Sequence, residues 1–408
     1  MKYLWILAAA VLLFAGCGEQ PSQEVSDNVE ETGQAAAEEE YVLPQADVYL
    51  TAGDSIGVEL GDSNYVFGQI AGTDIFPGGN IAVLDLQKVA VKVYDPSGEY
   101  VTTIGRKGSG PGEFLLPSGI ASFPAADAEE APDSLNPGFV VCDAMGGKLS
   151  YFDTDHEHLM DVQGFFPSPP AVLAGIEGGA VVGMKPIFEQ GEEGTFMGFT
   201  IARWEIGETD PSVTYFESMS PFNPGDLSTM QDDIVTFGAS PDGRVLTASM
   251  STETYEFTLW SPEGEELLTV VDEDFEMVRK TQEEIDLEAE MVNNRMIQQG
   301  MPESMANWEP DPYRSAIAGL WFDGLGRIWV TRGTVRTPYF DVYDEQGEKL
   351  FTAALDAGER ASQWQVQIRG DKFLAFDADP EMYPQLFIGD IPGAGDVQKE
   401  EDFQETGL

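Results

Sequence analysis

The sequence predicts an all-β protein in which one antiparallel unit of four strands is repeated six times. From about Tyr41 onward, short β-rich runs alternate with turns that contain Gly, Pro, Asp or Asn, a pattern typical of many short strands. Two kinds of turn also recur in a fixed order, in six copies. Because glycine supplies the positive φ of tight hairpins, each pair of turns marks one small sheet. Six such sheets in succession indicate a six-bladed β-propeller.

The two kinds of turn define the blades. The first carries glycine and precedes an apolar strand, at residues 77–80, 136–138, 177–179, 241–244, 323–327 and 369–371. The second follows a strand with an aromatic residue at or next to its end, and its copies begin at Asp95, Asp153, Glu205, Ser261, Asp344 and Gly389. The second turn follows the first by about twenty residues in five copies, and the third copy is longer.

The last unit lacks a strand after Asp390, because the chain there passes into an acidic segment. A propeller can close by lending an N-terminal strand to its last blade. We therefore expect a strand between Val48 and Leu60 to complete the sixth blade. The predicted propeller spans residues 41–391, and an acidic disordered tail is expected at 392–408.

The glycine-rich segment after the first blade carries a family resemblance. Residues 105–114, Gly-Arg-Lys-Gly-Ser-Gly-Pro-Gly-Glu-Phe, and residues 117–121 are similar to the blade junction of NHL-repeat proteins and related bacterial six-bladed propellers. In that family the segment joins the outer strand of one blade to the inner strand of the next. The resemblance, clearest over residues 66–121, implies the fold, while propellers host binding modules, lyases and hydrolases alike.

Three other motifs favour structural roles. A phosphate-binding loop needs a helix after its glycines, and no helix pattern follows residues 108–112. His156 and His158 fall in a turn, where side chains two residues apart diverge, so we expect a solvated turn rather than a metal site. Cys142 lies in a strand-like run and is expected to be buried. We assign no catalytic residue and no metal ligand.

The N-terminus resembles the signal of bacterial lipoproteins. After Lys2, an apolar run extends to Gly16 and is too short to span a bilayer. Residues 13–17, Leu-Phe-Ala-Gly-Cys, resemble the lipobox, in which the cysteine is acylated and the chain is cut before it. The resemblance implies a signal peptide at residues 1–16 and attachment to a membrane through lipid on Cys17.

An acidic tether is expected after the lipidation site. Residues 17–40 contain eight acids and no aromatic or basic residue, a composition typical of a solvated linker. Together with the lipoprotein resemblance, this predicts a domain of the bacterial cell envelope. It would be anchored to a membrane and would face the periplasm or the cell exterior.

The charge excludes one class of partner. The chain of 408 residues has 72 Asp+Glu and 21 Lys+Arg, a formal net charge of −51. Proteins bind the phosphate backbone of nucleic acids through clustered Lys and Arg, and a chain this acidic would repel it. Nucleic acids are therefore excluded as partners. Since 42% of the residues are apolar, the chain can still form a core. Salt screens self-repulsion, so we expect a halophilic origin.

A helical insertion is predicted near residues 272–312, where the strand pattern lapses. Thr281 and Glu284 have the spacing of a capping box. The apolar residues that follow at helical spacing are Ile285, Ala289, Val292 and Met296. We expect an amphipathic helix ended by Gly300 and Pro302, which either covers apolar surface or serves as a lid or docking element.

Candidate binding residues lie in and after this insertion. They are Trp308, Tyr313, Arg314, Arg332 and Arg336. Aromatic residues with arginine are typical of recognition surfaces, and on a common face they would attract an acidic ligand. The alternative is that Arg332 and Arg336 only pair with neighbouring carboxylates.

These features favour a cell-envelope lipoprotein whose propeller binds or scaffolds a protein, peptide or glycan. The alternative is a calcium-dependent, lactonase-like hydrolase or lyase with its site at the central channel. No cofactor is expected, with calcium left open. Several Asp, Glu or Asn side chains converging on the axis would favour the enzyme, and an apolar or glycine-lined channel would favour the binder.

Overall fold

The computed structural model describes residues 43–125, 136–191, 194–223, 234–298, 303, 306–377 and 382–396. Six antiparallel sheets follow one another along the chain, and the inner strands of successive sheets contact each other. The last sheet contacts the first, for example through Gln367 Oε1, which accepts a hydrogen bond from Thr73 Oγ1 (3.4 Å). The predicted six-bladed β-propeller is thus confirmed.

The chain begins with β1 (Val48–Leu50) and β2 (Asp54–Ile56), and the blades follow. Blade 1 comprises β3 (Ile70–Ile75), β4 (Ile81–Asp85), β5 (Ala90–Tyr94) and β6 (Tyr100–Ile104). Blade 2 comprises β7 (Pro117–Ser122), β8 (Phe139–Asp143), β9 (Lys148–Phe152) and β10 (His158–Gln163). Blade 3 comprises β11 (Val172–Gly175), β12 (Val181–Gly191), β13 (Gly194–Trp204) and β14 (Val213–Pro221). The long β12 and β13 account for the longer third repeat.

The remaining blades follow the same order from the axis outward. Blade 4 comprises β15 (Val235–Ala239), β16 (Val245–Ser249), β17 (Glu256–Trp260) and β18 (Glu266–Val271). Blade 5 comprises β19 (Ile317–Phe322), β20 (Ile328–Arg332), β21 (Tyr339–Tyr343) and β22 (Lys349–Leu355). Blade 6 contains β23 (Trp364–Arg369), β24 (Lys372–Asp377) and β25 (Leu386–Asp390). We call the face where the inner strands begin the upper face and the opposite one the lower face.

The N-terminal segment closes the ring, as the sequence predicts. Strand β2 pairs antiparallel with β25, with Asp54 opposite Ile388, and becomes the fourth strand of blade 6. The structure adds a feature that the repeat pattern does not contain. Strand β1 pairs in parallel with β22 as a fifth strand of blade 5, so the N-terminal segment joins the last two blades.

Buried aspartates hold the blade linkers of the upper face in place. Asp143, at the end of β8, is fully buried and accepts the backbone N–H groups of Leu115, Leu116 and Gly146. Asp85 does the same at the end of β4, for the linker that precedes blade 1. The glycine-rich segment predicted as a blade junction therefore does join β6 to β7.

The helical insertion forms on the upper face, between β18 and β19. Helix α1 (Gln282–Gln298) begins after Thr281, and the capping box is present: Glu284 N donates to Thr281 Oγ1 (3.2 Å) and Thr281 N donates to Glu284 Oε2 (2.8 Å). Val292 is buried, as its spacing predicts. The predicted end at Gly300 and Pro302 lies outside the described residues. Within the described part of the chain, no helix is long and apolar enough to cross a membrane.

Candidate binding site on the propeller axis

A cavity of about 580 Å³ lies where the six inner strands meet. Its walls are the inner strands of all six blades and the turns that follow them on the lower face. Because each inner strand is the first strand of its sheet, one of its edges has no partner strand among the described residues. The cavity wall therefore offers unpaired backbone N–H and C=O groups.

Five inner strands contribute small residues to this cavity. The cavity is lined in this way by Ala71, Gly72, Ser118, Gly119, Ala174, Gly175, Gly238, Ala239, Ala318 and Gly319. Close approach of neighbouring strands requires some of these glycines, since a β-carbon on Gly119 would overlap the carbonyl oxygen of Ala171 and one on Gly238 would overlap that of Leu320. Ring closure therefore keeps many positions on these five walls small, while Asp74, Thr236 and Asp323 add polar side chains to the same walls.

The sixth inner strand, β23, is different. Its sequence is Trp-Gln-Val-Gln-Ile-Arg and contains no glycine or alanine. Trp364 and Ile368 are buried, whereas Gln365, Gln367 and Arg369 are partly exposed and line the cavity. Since alternate residues of a strand share one face, these three polar side chains form a column along one wall of the axis, which we call the β23 column.

Arg369 is held in place through Nε and Nη1, while its Nη2 group stays unpaired among the described residues. Its Nε donates to Asp74 Oδ1 (3.2 Å) and its Nη1 to the carbonyl oxygen of Ile368 (3.1 Å). The guanidinium lies 5.2 Å from the ring centre of Trp321, a cation–π distance. The side chain is 26% exposed, and Nη2 donates to none of the described residues. Arg369 can therefore present a fixed cationic edge to a ligand.

Two buried carboxylates near the axis, Asp74 and Asp323, are bound by protein groups. Asp74 is buried and is bound by Arg369 and by the backbone N–H groups of Ile75 and Ser122. Asp323 accepts from Arg327 and Trp329. Among the described residues no three His, Cys, Asp or Glu side chains come together as metal ligands. Calcium takes 6–8 oxygen ligands, and these residues do not present such a set.

The structure places most of the sequence-predicted binding residues away from the axis, in contact with the insertion. Arg314 Nη2 donates to Glu284 of α1 at 2.7 and 2.9 Å. Trp308 is 3% exposed, and its backbone N–H donates to Oδ1 of Asn293 in α1 (2.8 Å). Tyr313, partly buried, donates its N–H to Asp311 (2.6 Å). These contacts fix the helix to the linker that carries Trp308 and Arg314.

The two arginines of blade 5 are also paired. Arg332 binds Asp341 through Nε and Asp272 through Nη2 (3.1 Å), and its guanidinium lies 4.9 Å from the ring centre of Tyr255. Burial alone would lower the pKa of Arg332, but Asp341, Tyr255 and Asp272 together outweigh burial and raise it. Arg336 is 55% exposed and lies 3.9 Å from Glu284. The pairing that the sequence left as an alternative is thus observed for Arg332, and a binding role for these residues stays a prediction.

The cysteine and the histidines have structural surroundings. Burial raises the pKa of the Cys142 thiol to about 12, so the thiolate needed for nucleophilic attack is scarce. His156 packs near Phe76, and burial lowers its pKa. His158 Nε2 lies 2.9 Å from Asp161 Oδ1. The lipidation site Cys17 lies outside the described residues.

The β23 column was not identified from the sequence. The repeat pattern places residues 369–371 in a turn and does not distinguish the run before it from the other inner strands. The signal lies in the contrast between inner strands: β23 alternates Trp, Val and Ile with Gln and Arg, whereas the other inner strands contain Gly or Ala.

Comparisons with known proteins support the fold. Residues 64–161 match the family model DUF5128, described as a 6-bladed beta-propeller. The match spans blade 1 and nearly all of blade 2. No curated protein matches this sequence.

Several solved structures are similar at low identity. A protein from Bacteroides fragilis described as exported is 13% identical, with a TM-score of 0.45 over 84% of this chain and 95% of that one. A gluconolactonase from Xanthomonas campestris is 12% identical, with a TM-score of 0.41 over 84% and 98%. The calcium-binding protein regucalcin from Agrobacterium tumefaciens is 11% identical, with a TM-score of 0.40 over 84% and 95%. These similarities carry no argument about ligand or activity.

Proposed function

We propose that this protein is a lipid-anchored binding module of the cell envelope, which holds a protein, peptide or glycan partner at the propeller axis. The observation that carries the proposal is the axial cavity. Its walls combine strand edges and small residues with larger apolar side chains such as Phe237 and Phe322. The polar groups of β23, Gln365, Gln367 and Arg369, lie there together with the carboxylates of Asp74, Asp323 and Asp371. Ligand sites combine such concave, mostly apolar walls with a few polar groups that fix orientation.

The chemistry of the axis favours binding over hydrolysis. A lactonase-like mechanism needs a metal ion or a free general base beside the substrate. The buried carboxylates that line the cavity, Asp74 and Asp323, are each held by an arginine and by backbone N–H groups. These two acids are occupied by protein groups, which favours binding. Asp371, which is exposed and also lines the cavity, is the remaining carboxylate of the lining that hydrolysis could use.

The binding role is tested with the full chain in detergent. Isothermal calorimetry against short peptides and oligosaccharides should show binding, and Ala318→Trp, which fills the cavity, should weaken it more than about tenfold by steric exclusion. Ala46→Trp, at the rim beside β1, is the matched control and should bind as the parent does. Calcium-dependent lactone hydrolysis that Ala318→Trp abolishes would instead establish the enzyme.

The lipid anchor rests on observations other than those for the axial site, and it is tested independently. The lipobox-like residues 13–17 and the acidic residues 17–40 support attachment through Cys17 and display outside the cytoplasm. Expressed in a bacterium, the parent chain should fractionate with membranes, and Cys17→Ser should not, because lipid chains supply the membrane affinity. Membrane association that survives the substitution would exclude this anchor and would leave the axial site untouched.

A further inference from the structure

We infer that the axial cavity binds an extended peptide that lies along β23 with its C-terminal carboxylate at Arg369. The inference rests on the proposed binding function and specifies its ligand. It depends on three properties of β23: the spacing of its polar side chains, the donors that they leave unpaired, and the free edge of the strand.

The spacing of the β23 column matches an extended peptide. Gln365, Gln367 and Arg369 follow one another at every second residue of a strand, which places them about 6.6 Å apart. An extended peptide beside the strand presents equivalent groups at the same interval. The distance from Gln365 to Arg369 then corresponds to about four peptide residues.

The β23 column also has donors without partners. Gln365 Nε2 is buried and has no hydrogen-bond partner among the described residues. Gln367 uses its Oε1 for Thr73 (3.4 Å), and its Nε2 donates to none of the described residues. Amide groups of this kind suit peptide C=O groups. Of the two amides, Gln367 presents its Nε2 to a ligand directly, whereas Gln365 Nε2 is buried and reaches a ligand only after its side chain turns toward the cavity.

In this proposal Arg369 binds the C-terminal carboxylate of the peptide. Asp74, its ionic partner, also accepts the N–H groups of Ile75 (2.8 Å) and Ser122 (2.7 Å). The carboxylate of Asp74 is therefore satisfied without Nη2 of Arg369, which stays available for a second anion. The guanidinium also lies over the ring of Trp321, 5.2 Å from its centre, which helps to hold it at this position. A planar guanidinium edge with a fixed orientation suits a carboxylate.

The free edge of β23 favours a peptide over a glycan. The strand pairs with β24 on one side only, so its other edge can add an extended chain through backbone hydrogen bonds, the mode called β-augmentation. A glycan lacks the alternating N–H and C=O groups that this edge requires. The small residues of the other five walls leave room for such a chain.

Calorimetry with the full chain in detergent tests the inference, with N-acetyl-tetra-alanine as the free acid and as its C-terminal amide. The acid should bind, and the amide should bind at least about tenfold more weakly, because it loses the charge-assisted hydrogen bond. Arg369→Gln should reduce binding of the acid to the level of the amide. The matched control is Arg360→Gln, which breaks an ion pair with Asp377 between blades 5 and 6, and it should leave both affinities unchanged.

The failures of the two proposals are distinguishable. Equal affinity for acid and amide, an unchanged affinity in Arg369→Gln, or no binding of either peptide overturns the peptide inference. A linear tetra-uronate that binds when the peptides do not, and that Ala318→Trp excludes, would retain the axial site and assign it to a glycan. Binding of the peptides that persists in Ala318→Trp would place them elsewhere and contradict both proposals.

Discussion

Charged residues at the end of the second strand of a blade serve the architecture. Asp85 and Asp143 accept linker N–H groups, Arg332 binds Asp341, and Asp377 binds Arg360. A buried charge is costly unless it is paired or hydrogen-bonded. In a chain of net charge −51, these positions show that acids also work inside the fold, as acceptors for backbone groups that the linkers would otherwise leave unpaired.

Asp143→Ala should destabilise the protein by about 3 kcal/mol, because three buried N–H groups lose their acceptor. Urea unfolding followed by far-UV circular dichroism measures the loss. Asp344→Ala is the matched control: Asp344 accepts the N–H groups of Gln346 and Glu348, but in a turn that water reaches, and the expected loss is below about 1 kcal/mol. Equal losses in the two variants would contradict a special role for the buried carboxylate.

At the scale of residues, the sequence does not predict which side chains pair or which of them line the axis. Arg314 and Arg332 stand out in an acidic chain, and Arg332 does pair with the nearby Asp341, yet Glu284 and Asp272 lie 30 and 60 residues earlier. Only the fold brings such pairs together. The column on β23 was missed for the opposite reason, since glutamine and arginine in a short run have no distinctive spacing until the strand is known to border the axis.

At the scale of elements, local patterns predicted more. The capping box placed the start of α1 correctly, because both of its hydrogen bonds form between residues three apart. The closing strand β2 followed from counting strands in the last blade. Strand β1 could not be predicted, since its three residues carry no repeat signal and its partner β22 lies about 300 residues away.

Acid should loosen the contact between helix α1 and its neighbouring linker. Burial by itself would raise the pKa of Glu284, but hydrogen bonds from Arg314 and Thr281 outweigh it and lower the pKa. A lowered carboxyl pKa means that this stabilisation is complete above the ordinary value of 4.5 and is lost as the pH falls through the value in the folded protein. Hydrogen exchange of residues 282–298 should therefore accelerate below about pH 4.

Substitution separates this contact from general acid unfolding. Glu284→Gln should accelerate exchange in the helix already at pH 7, corresponding to a loss of about 1–2 kcal/mol, and should flatten the dependence on acid. Glu283→Gln changes an exposed neighbour in the same turn and should behave as the parent does. If hydrogen exchange of α1 in the unsubstituted protein followed that of the blades at every pH, Glu284 would not control the contact between α1 and its neighbouring linker.

At the scale of the whole molecule, the sequence repeat predicts the fold, whereas the axial cavity forms only when the ring of blades closes. Hairpin glycines and aromatic strand ends are local signals, and six copies of them determine six blades. The cavity exists only because the six inner strands meet, so its chemistry depends on one strand that departs from the repeat. The lipoprotein signal lies outside the described residues and stays a prediction.

The net charge of −51 should make stability depend on salt. Many acids lie in the turns of the lower face, including Asp95, Glu99, Asp153, Asp155, Glu157, Glu263, Glu265, Asp344, Glu345 and Glu348. Their mutual repulsion disfavours the folded state, and salt screens it over a Debye length that falls from about 30 Å at 0.01 M to about 3 Å at 1 M. The melting temperature should rise by about 5 °C or more over this range and then level off.

Sucrose at equal osmolality is the control: it does not screen charge and should raise the melting temperature less. A melting temperature that is flat in salt, or that rises equally in sucrose, would contradict adaptation to a saline exterior.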